Sequence, residues 1–159
     1  MGVDQAPWNE AERRLLNGLL DEIVPASADG RVPAAGVLGV VDFLANKASD
    51  DPALAVLLRT VVTRAAALVD SRGASFEALD AAARIAVVEA LERAEPDAFT
   101  ALLQSTYMGY YSRADVRPHF GLSDRPTQPD GYVLPEDDPD ELADLLAPVR
   151  ARGRCFRPT

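Results

Sequence analysis

Residues 9–25 read N-E-A-E-R-R-L-L-N-G-L-L-D-E-I-V-P, and this stretch decides the fold. Asn9 followed three residues later by Glu12 is the sequence form of a capping box, in which each side chain satisfies a free backbone N–H at a helix start. Leu15, Leu16, Leu19, Leu20, Ile23 and Val24 then recur at helical spacing until Pro25, which cannot continue the helix. A helix with one apolar side needs other elements to cover it. The rest of the chain supplies them.

A second helix is predicted from Pro33 or Ala34 to Ala48, with Val37, Val40, Val41 and Leu44 on its buried side. Gly36 and Gly39 would each weaken it by about 1 kcal/mol relative to alanine, so they demand either close packing or a later start. Asp51-Pro52 places a capping residue before a proline at the first helical position and opens a third helix to about Val69. Its stripe is Leu54, Leu57, Leu58, Val61, Val62 and Leu68. After a break at Ser71–Ala74, Phe76 and Leu79 predict a short turn that plugs the core, and Asp80 caps a fourth helix carrying Ile85, Val88 and Leu91.

Pro96 opens a fifth helix in which Phe99, Leu102, Leu103, Thr106, Tyr107 and Tyr110 keep the same period. Prolines 118, 126, 129 and 135 with Gly121 and Gly131 then predict an irregular loop region, and Asp138-Pro139 caps a last short helix from Asp140 to about Ala147. No stretch alternates with period two. The sequence therefore predicts an all-α single-domain bundle of five to seven helices with a Pro/Gly-rich loop region after the fifth. Residues 1–134 form the helical domain, and 135–159 form a C-terminal extension of a short acidic helix and an arginine-rich tail.

Length and charge narrow the function. A chain of 159 residues buries a sizeable core without staples, and the lone Cys155 allows no internal disulfide framework or thiolate metal cluster. The net charge is −9 even though Arg150, Arg152, Arg154 and Arg157 sit together in an acid-free tail. An acidic body repels phosphate backbones, so no nucleic-acid partner is expected. The tail reads either as a solvated terminus or as a docking segment for an acidic surface. No stretch looks apolar enough for direct membrane insertion. Arg13-Arg14 before leucines has the outline of a twin-arginine leader, but Asp21 and Glu22 interrupt the apolar run and the leucine spacing fits an amphipathic helix.

Catalytic equipment is sparse. His119, the one histidine, lies between Pro118 and Phe120 with no Gly-x-Ser-x-Gly elbow in the chain, which leaves a hydrolase triad without its parts. Glu89, Glu92 and Glu95 recur every third residue but fall away from the apolar stripe of the fourth helix, and no Glu-x-x-His pair accompanies them. Gly36-Val37-Leu38-Gly39 is no dinucleotide fingerprint, and no phosphate loop is present. The distinctive side chains cluster elsewhere: six of the ten aromatic residues lie between Phe99 and Tyr132, among them all four tyrosines. Tyrosines join an apolar face to a polar tip, which suits a surface that meets another protein.

The order of features resembles the gluconate 2-dehydrogenase subunit 3 family. The resemblance rests on L-L-D-E-I-V-P at the end of the first helix, P-A-A-G-V before V-V-D-F-L, the plug S-F-E-A-L-D, the run F-T-A-L-L-Q-S-T-Y-M-G-Y-Y-S, and the later G-L and D-G-Y. It covers roughly residues 12–134. Pro25, Asp42, Phe76, Leu79, Tyr107, Gly109, Tyr110, Tyr111, Gly121 and Tyr132 fall on the shared pattern. Such proteins are small subunits that accompany flavin-containing sugar and alcohol dehydrogenases of the glucose-methanol-choline (GMC) type.

The resemblance implies a noncatalytic partner: FAD and substrate belong to a larger flavoprotein subunit, and the small chain, which binds no cofactor, supports its folding, flavin loading, stability or export in a hetero-oligomer. Phe76 and Leu79 are assigned to the core, and Tyr107, Tyr110, Tyr111, His119, Phe120 and Tyr132 are the candidate interface residues. Exported members commonly begin with a twin-arginine leader, and none is visible here. A cytoplasmic complex is expected, or a periplasmic one if a leader was removed or the partner carries it. The alternatives are a stand-alone helical scaffold without a flavoprotein, or a small enzyme centred on His119.

Overall fold

The computed structural model describes residues 7–125 and 138–153, and the chain divides into two compact units, Met1–Asp124 and Arg125–Thr159. The boundary expected after residue 134 lies outside the described residues. The first unit contains α1 (Glu10–Ile23), α2 (Val40–Asp50), α3 (Pro52–Asp70), α4 (Ala81–Ala94) and α5 (Pro96–Tyr111), with short 3-10 turns at Phe76–Ala78 and Arg117–Phe120. The second contains α6 (Pro139–Ala151). The protein is all-α, with no strand among the described residues.

The starts of α1, α3 and α4 are built by the chemistry their sequences imply. Asn9 and Glu12 form the reciprocal capping box, with Oδ1 of Asn9 accepting from the Glu12 N–H at 3.0 Å and Glu12 accepting from the Asn9 N–H at 2.8 Å. Asp51 accepts from the N–H groups of Ala53 and Leu54, and Asp80 accepts from that of Ala83. A cap of this kind contributes about 1 kcal/mol. The stripes then close on one another. α3 and α5 each contact every other helix of the first unit, and Leu16, Leu20, Leu44, Leu58, Val61, Val87, Leu91 and Leu102 are fully buried between them.

The second helix starts later than its periodicity suggests. Residues 34–39 form a turn, and Gly39, at φ +69°, supplies the left-handed residue that leads into α2 at Val40. The cause lies in α1: Asp21 Oδ1 accepts the N–H groups of Gly36 and Val37 at 2.7 and 3.2 Å and holds the turn against that helix. At Gly36 any Cβ would strike the backbone carbonyl of Asn17. Close packing and a delayed start together account for the two glycines.

Two further expectations change. In α4 the buried positions are Val87 and Leu91, whereas Ile85 is 51% exposed. The helix is so rich in alanine that its apolar residues surround much of the axis, and packing rather than periodicity selects the inward face. In addition, α3 is long and apolar enough to cross a membrane by length and composition. Its inward face, Leu58, Val61, Val62, Ala65 and Val69, is instead buried in the bundle, while Arg59 on its outer side pairs with Glu12. This is the central helix of a packed core. Phe76 plugs the base as expected, 2% exposed with its ring over Gly18, and Leu79 packs against the same core.

Candidate protein-binding face

The C-terminal half of α5 carries two different sets of side chains. Ser105, Thr106, Gly109 and Tyr110 face inward, and Gly109 lets the Phe43 ring and Val40 of α2 lie directly against the α5 backbone. Tyr107 and Tyr111, four residues apart and so stacked along one side of the helix, face outward at 43% and 42% exposure. Their ring centroids are 5.9 Å apart.

The chain then turns back on itself. Buried Val116 anchors the segment, and Arg113 Nη1 donates to the Leu38 carbonyl at 3.0 Å, tying it to the turn before α2. Asp115 accepts two hydrogen bonds from the same guanidinium, which holds the Asp115 carboxyl below its usual range. The 3-10 turn Arg117–Phe120 follows and ends at Gly121, whose φ of +72° suits a residue without a side chain. This return brings Phe120 edge-on to Tyr111, with centroids 5.2 Å apart and planes at 75°. Tyr107, Tyr111 and Phe120 thus form a contiguous aromatic surface. Edge-to-face pairs of this geometry contribute about 0.5–1.5 kcal/mol beyond the area they bury, so the face is preorganised.

The predicted interface residues separate into distinct groups. Tyr107, Tyr111 and Phe120 come together on the surface. Tyr110 does not join them there, because it is only 2% exposed and its hydroxyl donates to the Pro33 carbonyl at 2.9 Å. The correction follows from helix geometry: Tyr110 is one residue from Tyr111, about 100° around the axis, and lies on the core side. Its ring nevertheless meets Tyr111 edge-on at 5.0 Å and backs the exposed ring from below. Burial, followed by the nearby Tyr111 and Asp115, pushes the Tyr110 phenol above its usual range. His119 is exposed on the 3-10 turn, and no described residue hydrogen-bonds its ring. Tyr132 lies outside the described residues. Met108 on α5 and Leu122 beyond the turn are also exposed, and neither carries an aromatic signature that singles it out in sequence.

The clefts of the first unit have a different character. The larger, about 610 Å³, lies where the start of α1 meets the end of α3 and the Phe76 turn, and it presents Glu12, Asp70 and Glu77 against Arg14. That surplus of carboxylates opposes the diphosphate of a flavin or nicotinamide dinucleotide. A smaller cleft of about 300 Å³ is lined by Arg59, Thr60, Thr63, Arg64, Ala67 and Glu95. Among the described residues, no three His, Cys, Asp or Glu side chains converge as a metal site.

The fold and its surface define a small all-α bundle that displays a fixed group of aromatic rings to solvent. The model of the family "Gluconate 2-dehydrogenase subunit 3" matches residues 10–115, two thirds of the chain, and the protein belongs to that family. The matched region runs from α1 through α5 to the Arg113–Asp115 pair. No curated protein and no solved structure matches the chain. The family name makes this a subunit of a dehydrogenase complex.

Proposed function

We propose that this protein is the noncatalytic small subunit of an FAD-dependent sugar or alcohol dehydrogenase of the GMC type. It binds the flavoprotein catalytic subunit through the face built by Tyr107, Tyr111 and Phe120. The chain binds no cofactor itself; FAD and the reacting carbon belong to the larger partner. Its role is to support the folding, flavin loading, stability or export of that partner.

The observation that carries this reading is the exposed aromatic surface within a chain whose family consists of dehydrogenase subunits. Aromatic residues are enriched where proteins bind one another, because they bury a large area at little conformational cost. The surplus of carboxylates in the larger cleft disfavours a bound dinucleotide there, in keeping with a flavin held by the partner.

Coexpression tests the proposal. The flavoprotein produced with this chain is expected to be soluble, yellow and active, and to lose at least one of those properties when produced alone. A flavoprotein that is fully flavinated, stable and active without the small chain, and does not bind it, rejects the assignment.

A further inference from the structure

The second compact unit carries an apolar stripe that no other described residue of that unit covers. In α6, Leu142, Leu145, Leu146 and Val149 follow the i, i+3, i+4, i+7 spacing of a helix made to bury one side. Leu142, Leu145 and Val149 are nonetheless 42%, 68% and 59% exposed, and only Leu146 is half-buried. A helix of this length is marginal in water by itself, and Pro148 inside it removes a backbone donor. A packing partner must therefore stabilise it.

We propose that the partner is α6 of a second copy of this chain, packed antiparallel. The stripe reads the same in both directions, because its spacing is symmetric about the point between Leu145 and Leu146. An antiparallel pair therefore sets Leu142 opposite Val149 and Leu145 opposite Leu146 at both ends.

Charge fixes the direction. The helix begins with Asp140 and Glu141 and ends with Arg150 and the C-cap Arg152. Parallel packing would bring like charges and aligned helix dipoles together; antiparallel packing places each acidic end beside a basic end. Glu141 and Arg152 are eleven residues apart, which puts them within about 20° of each other around the axis, on one flank of the stripe. In the antiparallel register, Glu141 of one copy lies within about 3 Å along the axis of Arg152 of the other. Two such pairs would close the two ends. The acidic first half of α6 also argues against an anionic lipid surface as the occupant.

Sedimentation of the full chain across a concentration series tests this. The mean mass is expected to rise from one copy to two. Leu145→Asp, which places a charge at the centre of the stripe, is expected to weaken association at least tenfold, with a small loss of helical circular dichroism as unpaired α6 melts, while the thermal unfolding of the bundle stays unchanged. Glu141→Arg should weaken association, and Glu141→Arg with Arg152→Glu should restore it. A chain that remains monomeric at every concentration overturns the proposal. So does association that is insensitive to Leu145→Asp, or a double variant that fails to recover. Should the chain remain single while Leu145→Asp releases a bound flavoprotein, the stripe belongs to that partner and self-pairing is rejected.

Discussion

Tyr110 and Tyr111 are adjacent in sequence and opposite in role, and one hydroxyl separates them. The Tyr110 phenol is desolvated and donates to the Pro33 carbonyl, whereas Tyr111 keeps 42% of its surface. Removing the buried donor alone isolates that bond. Tyr110→Phe keeps the ring and leaves the Pro33 carbonyl without this partner, so unfolding in denaturant should show a loss of about 1 kcal/mol. Binding to the proposed flavoprotein partner, corrected for the folded fraction, should be unchanged. The aromatic run was legible in sequence, but which tyrosine would face inward was not. That depended on the Pro33 carbonyl, which lies 77 positions earlier and leaves no local signal.

At the scale of elements, the helix starts were the most legible features, because a cap is a contact between near neighbours. Asn9 with Glu12, Asp51 with Pro52, and Asp80 all act where their spacing places them. The start of α2 was less so, because the Asp21 carboxylate that holds residues 36 and 37 belongs to a different helix. Gly36 gives this junction a direct test. A methyl group there meets backbone rather than a movable side chain, so the turn must shift away from α1 and give up hydrogen bonds to Asp21. Gly36→Ala should destabilise the bundle by about 1–3 kcal/mol, the range for overpacking a tight contact, even though alanine is the better helix former. A thermal melt at or above that of the parent would show that the turn accommodates the methyl group. The phase of α4 was hidden for another reason: with alanine at six of its fourteen positions, hydrophobicity no longer marks which side faces the core.

For the whole molecule, the arrangement separates the packed core from the face proposed for recognition. The bundle is held by α3 and α5 at its centre, with leucines and valines buried among five helices, and the aromatic face is added on the outer side of α5 by the return through Arg113 and Val116. The tyrosines pointed to this face in the sequence; the Phe120 contact required the fold, since nine residues of turn bring it back to Tyr111. The division predicts opposite responses to truncation at two neighbouring rings. Tyr111→Ala removes an exposed ring and its edge contacts, so the isolated subunit should lose no more than about 1.5 kcal/mol of stability. If Tyr111 anchors the flavoprotein, the same change should cost on the order of 2 kcal/mol or more in binding, roughly a 30-fold rise in Kd. Tyr110→Ala should instead unfold the bundle, costing about 3–5 kcal/mol as other large core rings do. Calorimetric melts of the free subunit beside titrations of the flavoprotein distinguish these responses. If Tyr111→Ala melts the subunit as severely as Tyr110→Ala while affinity per folded molecule is constant, the outer rings are the margin of the core and the catalytic subunit docks elsewhere.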